Sequence, residues 1–393
     1  MIQKLFLLCD GLTNNSNHHY EYAKSVYFAA KDEDISITVL SNVNVTEPIQ
    51  KELGTKPVFT SNFQDRFFKI KFPLRVLNFL KEMKTGLSSE WDENSLCFIE
   101  TTHSFHLAAI MLWDVISFRR SLPLFILLFR SDSSSMVRFF IRRLQSLINK
   151  NRIFLVTDSE IIAKDYQQQM GVSLVVLPIP HIPQFVARRK SDSSKKCIKF
   201  LIPLNGRGYQ KGILTVLKTI SLIKNLLKLG KIELILKCDS TGAGYMRSTD
   251  DTIDVRKKLI ALVQKYENVK IIFESMSSIG YYDLLNSSDA VVLPFKLPFY
   301  RSGTSGVFAE CVAAGKPVIV TEGTWMALEA KKLNTGLLIK EDDETDLANK
   351  INILAKNYAE FNKRAFLAAK KWGNFHNAKT FINILIKFRG IHS

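Results

Sequence analysis

Long apolar runs are missing from this sequence. No stretch reaches about 18 uninterrupted apolar residues, the length that marks a membrane-spanning helix, so the chain is expected to touch a membrane without crossing one. The apolar start of MIQKLFLLCDG is too short for a signal peptide and ends in a turn. It reads as a first strand, with an expected cytoplasmic location and peripheral attachment to the inner face of the membrane. Cysteine is scarce: Cys9, Cys97, Cys197, Cys238 and Cys311 are odd in number and never spaced as CxxC. That excludes a disulfide framework and a zinc-finger pattern, and leaves reduced core residues. Acids are short as well, 37 Asp and Glu against 54 Lys and Arg, for a formal charge of +17. Such an excess asks for a polyanionic partner, whether nucleic acid, a nucleotide or an anionic membrane surface. RNA-binding and helix-turn-helix signatures are absent too, so nucleic acid is not the expected one.

What is present is a repeated alternation of short apolar strands with helical patterns. At 393 residues, 46% of them hydrophobic, the chain is too long for one core of ordinary size and divides into two domains. The first series runs LFLLC (5 to 9), a helix from about His18 to Lys31, ISITVL (35 to 40), LCFIE (96 to 100), PLFILLF (123 to 129), RIFLVT (152 to 157) and SLVVLP (173 to 178). The second runs IKFLIPL (198 to 204), IELILKC (232 to 238), VKIIF (269 to 273), AVVLP (290 to 294), PVIV (317 to 320) and GLLIK (336 to 340). Both series predict α/β folding: two Rossmann-like, doubly wound parallel-sheet domains facing a cleft, with ligands at the carboxyl ends of the strands. The expected boundaries are 1–183 for an N-terminal acceptor-binding domain, 184–197 for a basic linker and 198–372 for a C-terminal donor domain. A C-terminal helix over 373–393 packs back on the first domain.

The most informative stretch is YRSGTSGVFAECVAAGKPVIV, from Tyr300 to Val320. A glycine-bearing polar turn (Arg301, Ser302, Gly303, Thr304, Ser305, Gly306) leads into an apolar helix that carries one carboxylate, Glu310. Free amides at a helix start suit an anion, with a phosphate or diphosphate the obvious candidate. Val307, Phe308, Cys311 and Val312 leave that helix little polar face, so Glu310 needs a partner, for which a ligand hydroxyl serves. The turn NGRGYQKG follows the first strand of the second series and brings Arg207 and Lys211 to the same sheet edge. Two cations there stabilise charge growing on a diphosphate leaving group, although loop cations are also often merely solvated.

GR followed by KG after that strand, joined to SGTSGVFAECVAAGKPVIVT, resembles the donor-nucleotide-sugar domain of GT-B glycosyltransferases, most closely the retaining family 4 group. The resemblance covers most of residues 198 to 340. It implies transfer of a sugar from a nucleoside diphosphate sugar to the hydroxyl of a glycan or lipid-linked acceptor, with retention. Glu310 matches the second acid of the family's pattern of Glu, seven residues, Glu, whose implied role is to grip the ribose. Ser302 stands where the first acid belongs, and the hydroxyls of Ser302, Thr304 and Ser305 are neutral substitutes. The cation pair is one residue closer than in the family.

In the first domain the strand ends single out the turn at Gly11, the segment Thr101 to His103, and Arg130 with Asp132. His103 is a candidate acceptor-pocket or donor-sugar contact, and His106 shares its helical face. A metal bound by that pair lacks a third ligand nearby. His18 and His19 open the first helix, one of them facing the cleft. The DxD letters at Asp32 to Asp34 precede a strand and fall at the amino edge, the wrong side for catalysis. Metal-independent chemistry without a cofactor is expected, with Arg207, Lys211 and amides in place of a cation. The acidic run EDDETD (341 to 346) reads as a loop and helix start. Residues 66–84 and 135–152 mix apolar residues with Lys and Arg. Val137, Phe140, Ile141, Leu144 and Ile148 form a core-facing stripe, while Arg138, Arg142, Phe139 and Phe67 suggest contact with anionic lipid. Competing readings are a nucleotide-sugar epimerase of the same architecture and a non-catalytic basic module that binds membrane or nucleic acid.

Overall fold

The computed structural model describes residues 4–15, 18–60, 71–87, 91–92, 95–117, 122–131, 133–180, 195–205, 208–238, 249–274 and 276–390. The chain forms two compact units, Met1–His181 with His376–Ser393, and Ile182–Phe375.

The first unit holds a sheet of seven parallel strands: β1 (Lys4–Cys9), β2 (Ser36–Asn42), β3 (Lys56–Phe59), β4 (Ser95–Ile99), β5 (Leu124–Phe129), β6 (Ile153–Thr157) and β7 (Val175–Val176), in the order β3-β2-β1-β4-β5-β6-β7. Successive side chains of a strand point to opposite faces. Phe6 and Leu8 therefore join one core with Phe125, Leu127 and Phe129, while Leu5 and Leu7 join the other with Leu124, Ile126 and Leu128. Helices cover both faces, which is why these strands read as continuous apolar runs and not as alternating ones. The helix Ala378–Gly390 closes one face, where Phe381 meets the Tyr22 ring edge-on at 5.8 Å and Phe98 at 5.4 Å.

The second unit repeats the plan with six parallel strands: β8 (Ile198–Pro203), β9 (Ile232–Lys237), β10 (Val269–Ile272), β11 (Ala290–Leu293), β12 (Val318–Thr321) and β13 (Gly336–Ile339), in the order β10-β9-β8-β11-β12-β13. In each unit the first and fourth strands are neighbours, and the connections leave that junction in opposite directions. Such a switch point opens a crevice at the carboxyl ends of the strands.

The structure departs from the sequence reading at the edges. The pattern missed β3 because Pro57 interrupts it, and proline is tolerated there only because β3 is an edge strand, with no ladder donor required on its outer side. At the opposite edge the expected strand over 173–178 shortens to Val175–Val176. Residues 184–194 of the expected linker lie outside the described residues. Lys195, by contrast, is anchored to the second unit by an ion pair with the buried Asp289 carboxylate, which also accepts the Lys199 amide at 2.9 Å. The last long helix of that unit, Tyr358–Gly373, ends where a separate C-terminal helix was expected to begin, and the next one starts at Ala378.

Candidate functional site

In the second unit, Ser305 caps the helix Gly306–Ala313, its hydroxyl accepting the Phe308 amide at 3.3 Å. The helix thus starts where the glycine-bearing turn ends, with its first-turn amides at the carboxyl edge. Ser302 and Ser305 are buried, Gly303, Thr304 and Glu310 half-buried, and Arg301 exposed. Phe308, Ala309, Cys311 and Val312 are all buried around Glu310. The Tyr281 phenol, whose hydroxyl is out of solvent, is pushed up by burial first and then by the Glu310 carboxylate.

The loop after β8 is held against the loop after β11 by the Lys296 amide, which donates to Gln210 O at 2.8 Å. Gly212 makes this approach possible. Its φ is +77°, and a Cβ there would lie 2.1 Å from Pro294 O. Lys211 Nζ donates to Asn205 O at 2.5 Å and stands 5.6 Å from the Phe295 ring centroid, so it is anchored inside the loop. Arg207 lies outside the described residues. The acidic run does more than start a helix. Asp343 caps it, but Asp342 takes the Lys296 ammonium at 2.5 Å and the Thr215 hydroxyl at 2.9 Å, and Glu341 takes the Leu297 amide at 2.7 Å. Burial opposes charge on Asp342, yet the bonds from Lys296 and Thr215 outweigh it and hold the carboxyl below its ordinary range.

In the first unit, Leu8 pairs with Ile99, so Asp10 and Glu100 leave neighbouring strands side by side. His19 is buried, with Nδ1 3.0 Å from Glu100 Oε1; the His18 side chain lies outside the described residues. The His19 ring packs on the Gly11 backbone, where a Cβ would come within 2.6 Å of Nε2. Arg130 stands 3.8 Å from Glu100 Oε1 and 4.0 Å from Asp158 Oδ2, donates to Glu100 O at 3.3 Å, and lies over the Tyr22 ring. Burial works against its charge, but Asp158 and Glu100 raise its pKa. Asp132 lies outside the described residues.

His103 is the N-cap of the helix Ser104–Ile116, and its amide donates to His106 Nδ1 at 2.9 Å. His106 Nε2 is 3.8 Å from Asp10 Oδ2. Burial, reinforced by His106 and Arg75 and opposed by Asp10, takes His103 down to about 4, and burial also lowers His106. Both imidazoles are therefore neutral near pH 7. Among the described residues no three His, Cys, Asp or Glu side chains gather as a metal site. Asp32 ends the first helix and Asp34, at φ 55°, precedes β2, both at the amino edge of the sheet.

Sequence reasoning passed over Glu100 and Asp158 as site residues and treated Asp10 only as the start of a turn. Each directly follows an apolar strand, and that position was the available signal.

Residues 200–357 match the family described as glycosyl transferases group 1. Residues 200–357 therefore carry a glycosyl transferases group 1 domain. No curated protein matches it by sequence. Among solved structures, a glycosyltransferase from Rickettsia africae is similar at a TM-score of 0.70 and 15% identity, covering 99% of this chain and 98% of the other. Sucrose-phosphate synthase from Thermosynechococcus elongatus is similar at 0.66 and 14%, covering 100% of both. The Anabaena protein HepE in complex with UDP is similar at 0.66 and 12%, covering 98% of both. These likenesses establish the GT-B fold, with its two parallel-sheet Rossmann-like units.

Proposed function

We propose that this protein is a glycosyltransferase that moves a sugar from a nucleoside diphosphate sugar to the hydroxyl of a glycan or lipid-linked acceptor, with retention of the anomeric configuration. The observation that carries the donor assignment is the Ser305-capped helix start preceded by the glycine-bearing turn, with Glu310 set among buried apolar residues. The first-turn amides and the turn from Arg301 to Gly306 hold the diphosphate. Glu310, roughly 7 Å along the axis from the cap, accepts the ribose hydroxyls. Lys211, anchored in the loop through Asn205 O, brings its ammonium charge to the leaving diphosphate. Arg207 shares that charge, as the family resemblance implies. His103, neutral at the edge of the first unit, is a contact for sugar hydroxyls. HepE was solved with UDP, which makes uridine diphosphate the first ligand to try.

The test is a thermal-shift panel of nucleoside diphosphates and their sugars. One diphosphate raises the melting temperature of the wild type, and the shift disappears in Glu310→Ala and in Arg207→Ala. Stabilisation that survives both substitutions removes the assigned site.

The acceptor side includes a membrane surface. No helix among the described residues is long and apolar enough to cross a membrane. The helices Phe72–Leu87 and Ser135–Arg143 nevertheless expose Leu74, Leu77, Met136 and Phe139 near their amino ends, flanked by the exposed Lys71, Arg142 and Arg143. Phe72 stacks on Phe140 at 6.1 Å, so the two helices approach one another on one face of the sheet. Large apolar groups among cations suit the headgroup region of an anionic bilayer. Arg138 is not part of this face, because its guanidinium donates to Ser133 O and Gln169 Oε1. Phe67 lies outside the described residues.

A further inference from the structure

The helix Gly306–Ala313 is only eight residues long, yet the donor site proposed above depends on where its first amides stand. The Phe308 amide is taken up by the Ser305 hydroxyl, so the amides left for a diphosphate are those of Gly306 and Val307, both half-buried. Helices shorter than about 12 residues are marginal on their own hydrogen bonds and depend on tertiary packing. The packing nearest those two amides is that of the next side chain, Phe308.

The Phe308 ring meets Trp325 at 5.6 Å and 76°, and Trp372 at 6.1 Å and 84°, while the two indoles meet each other at 6.4 Å and 65°. All three contacts are edge-on, the arrangement that ring quadrupoles favour, so each ring sets the tilt as well as the distance of its neighbours. Phe308, Trp325 and Trp372 are 0%, 1% and 2% exposed, which leaves them no room to turn aside. The indoles come from two separate elements. Trp325 opens the helix Trp325–Leu333 behind its cap Thr324, whose hydroxyl donates to Thr321 O at 2.7 Å and accepts the Ala327 amide at 3.2 Å. Trp372 lies in the last turn of the helix Tyr358–Gly373. Trp325 Nε1 has no hydrogen-bond partner among the described residues, so ring packing places that indole. The start of the short helix is thus clamped through one phenyl ring by two others that are fixed independently.

We propose that Trp325 and Trp372 are positioning residues for donor binding, acting through Phe308 to set where the Gly306 and Val307 amides meet the diphosphate. The proposal rests on the donor assignment above, and the experiment separates the two. Tryptophan emission is followed while uridine, guanosine and adenosine diphosphates are added, with thermal shift and calorimetry on parallel samples. The diphosphate that stabilises the wild type also changes its emission saturably. That change shrinks in Trp325→Phe and in Trp372→Phe, because the other two tryptophans, Trp91 and Trp113, belong to the first unit. Trp372→Leu lowers the affinity for that diphosphate about fivefold, the equivalent of one aromatic pair, and Trp372→Phe, which keeps a ring facing Phe308, lowers it less. Where Trp372→Leu does not fold, the emission change and the two phenylalanine variants decide. A wild type that is stabilised without a change in emission overturns the proposal. So does an emission change undiminished in both phenylalanine variants, or a folded Trp372→Leu with wild-type affinity. A wild type that none of the three diphosphates stabilises removes the donor assignment, and this proposal falls with it.

Discussion

His103 makes the stability of the first unit depend on pH in a calculable way. Its imidazole is held neutral by burial, with His106 and Arg75 acting in the same direction and Asp10 against them, and its pKa falls from 6.5 to about 4. The sign follows from proton counting. Between pH 6.5 and 4 the unfolded chain binds a proton at this residue and the folded chain does not, so stability is lost as pH falls through that window. The full shift corresponds to about 3 kcal/mol, and the part lost between pH 7 and pH 5 to about 2 kcal/mol. His103→Asn removes the titration and keeps a residue well suited to the helix N-cap. With two units the whole chain is not expected to unfold in a single step, so the measurement must report on the first unit alone. Pulse proteolysis in urea at pH 7 and pH 5, with fragments assigned by mass, meets that need. The wild type loses about 2 kcal/mol more than His103→Asn over this interval. His106, lowered in the same direction, is retained in both proteins. Identical pH dependence in the two proteins refutes the reasoning, as does an NMR titration that places His103 near 6.5.

Two further outcomes follow from the geometry. Gly212→Ala places a Cβ against the backbone oxygen of Pro294 at a positive φ, where neither partner can swing aside. It should destabilise the second unit by roughly 3 kcal/mol, read from the urea midpoint, and weaken diphosphate binding because the loops after β8 and β11 separate. On the face proposed to meet a membrane, each cation near an anionic surface contributes about 1 kcal/mol, so Arg142→Ala with Arg143→Ala should reduce sedimentation with anionic liposomes roughly 30-fold. Wild-type protein should not sediment with neutral ones, and equal binding to both vesicle types refutes the electrostatic part.

Much of the fold was legible because both sheets are parallel and covered on both faces. Strands such as LFILLF are then uniformly apolar, and the alternation with helices is visible by inspection. The edge strand β3 was hidden by Pro57, whose cost depends on whether a neighbour needs its amide, a property of topology and not of the local sequence. The glycine-bearing turn before Glu310 was legible because cap, turn and carboxylate are contiguous in the chain. The cluster of Asp10, His19, Glu100, Arg130 and Asp158 was not, since its members come from four separate βα units. His19 and Glu100 are 81 residues apart in sequence and 3.0 Å apart in space. Only the register of β1 on β4 brings them together.

The two units share one strand order, and so one crevice geometry, yet the side chains at their switch points differ in sign. The second unit offers amides, hydroxyls and the Lys211 ammonium, and its acids at 341–343 are turned to holding loops through Lys296, Thr215 and Leu297. That edge favours an anion. At the first unit's edge, among the described residues, Asp10, Glu100 and Asp158 lie with the Arg130 and Arg75 guanidiniums, the His19 imidazole, and the His103 and His106 imidazoles that burial keeps neutral. Among the described residues a phosphate there would meet more negative than positive charge. Duplicated topology thus supplies two crevices, and the charge of the groups at their rims makes them unlike as binding surfaces.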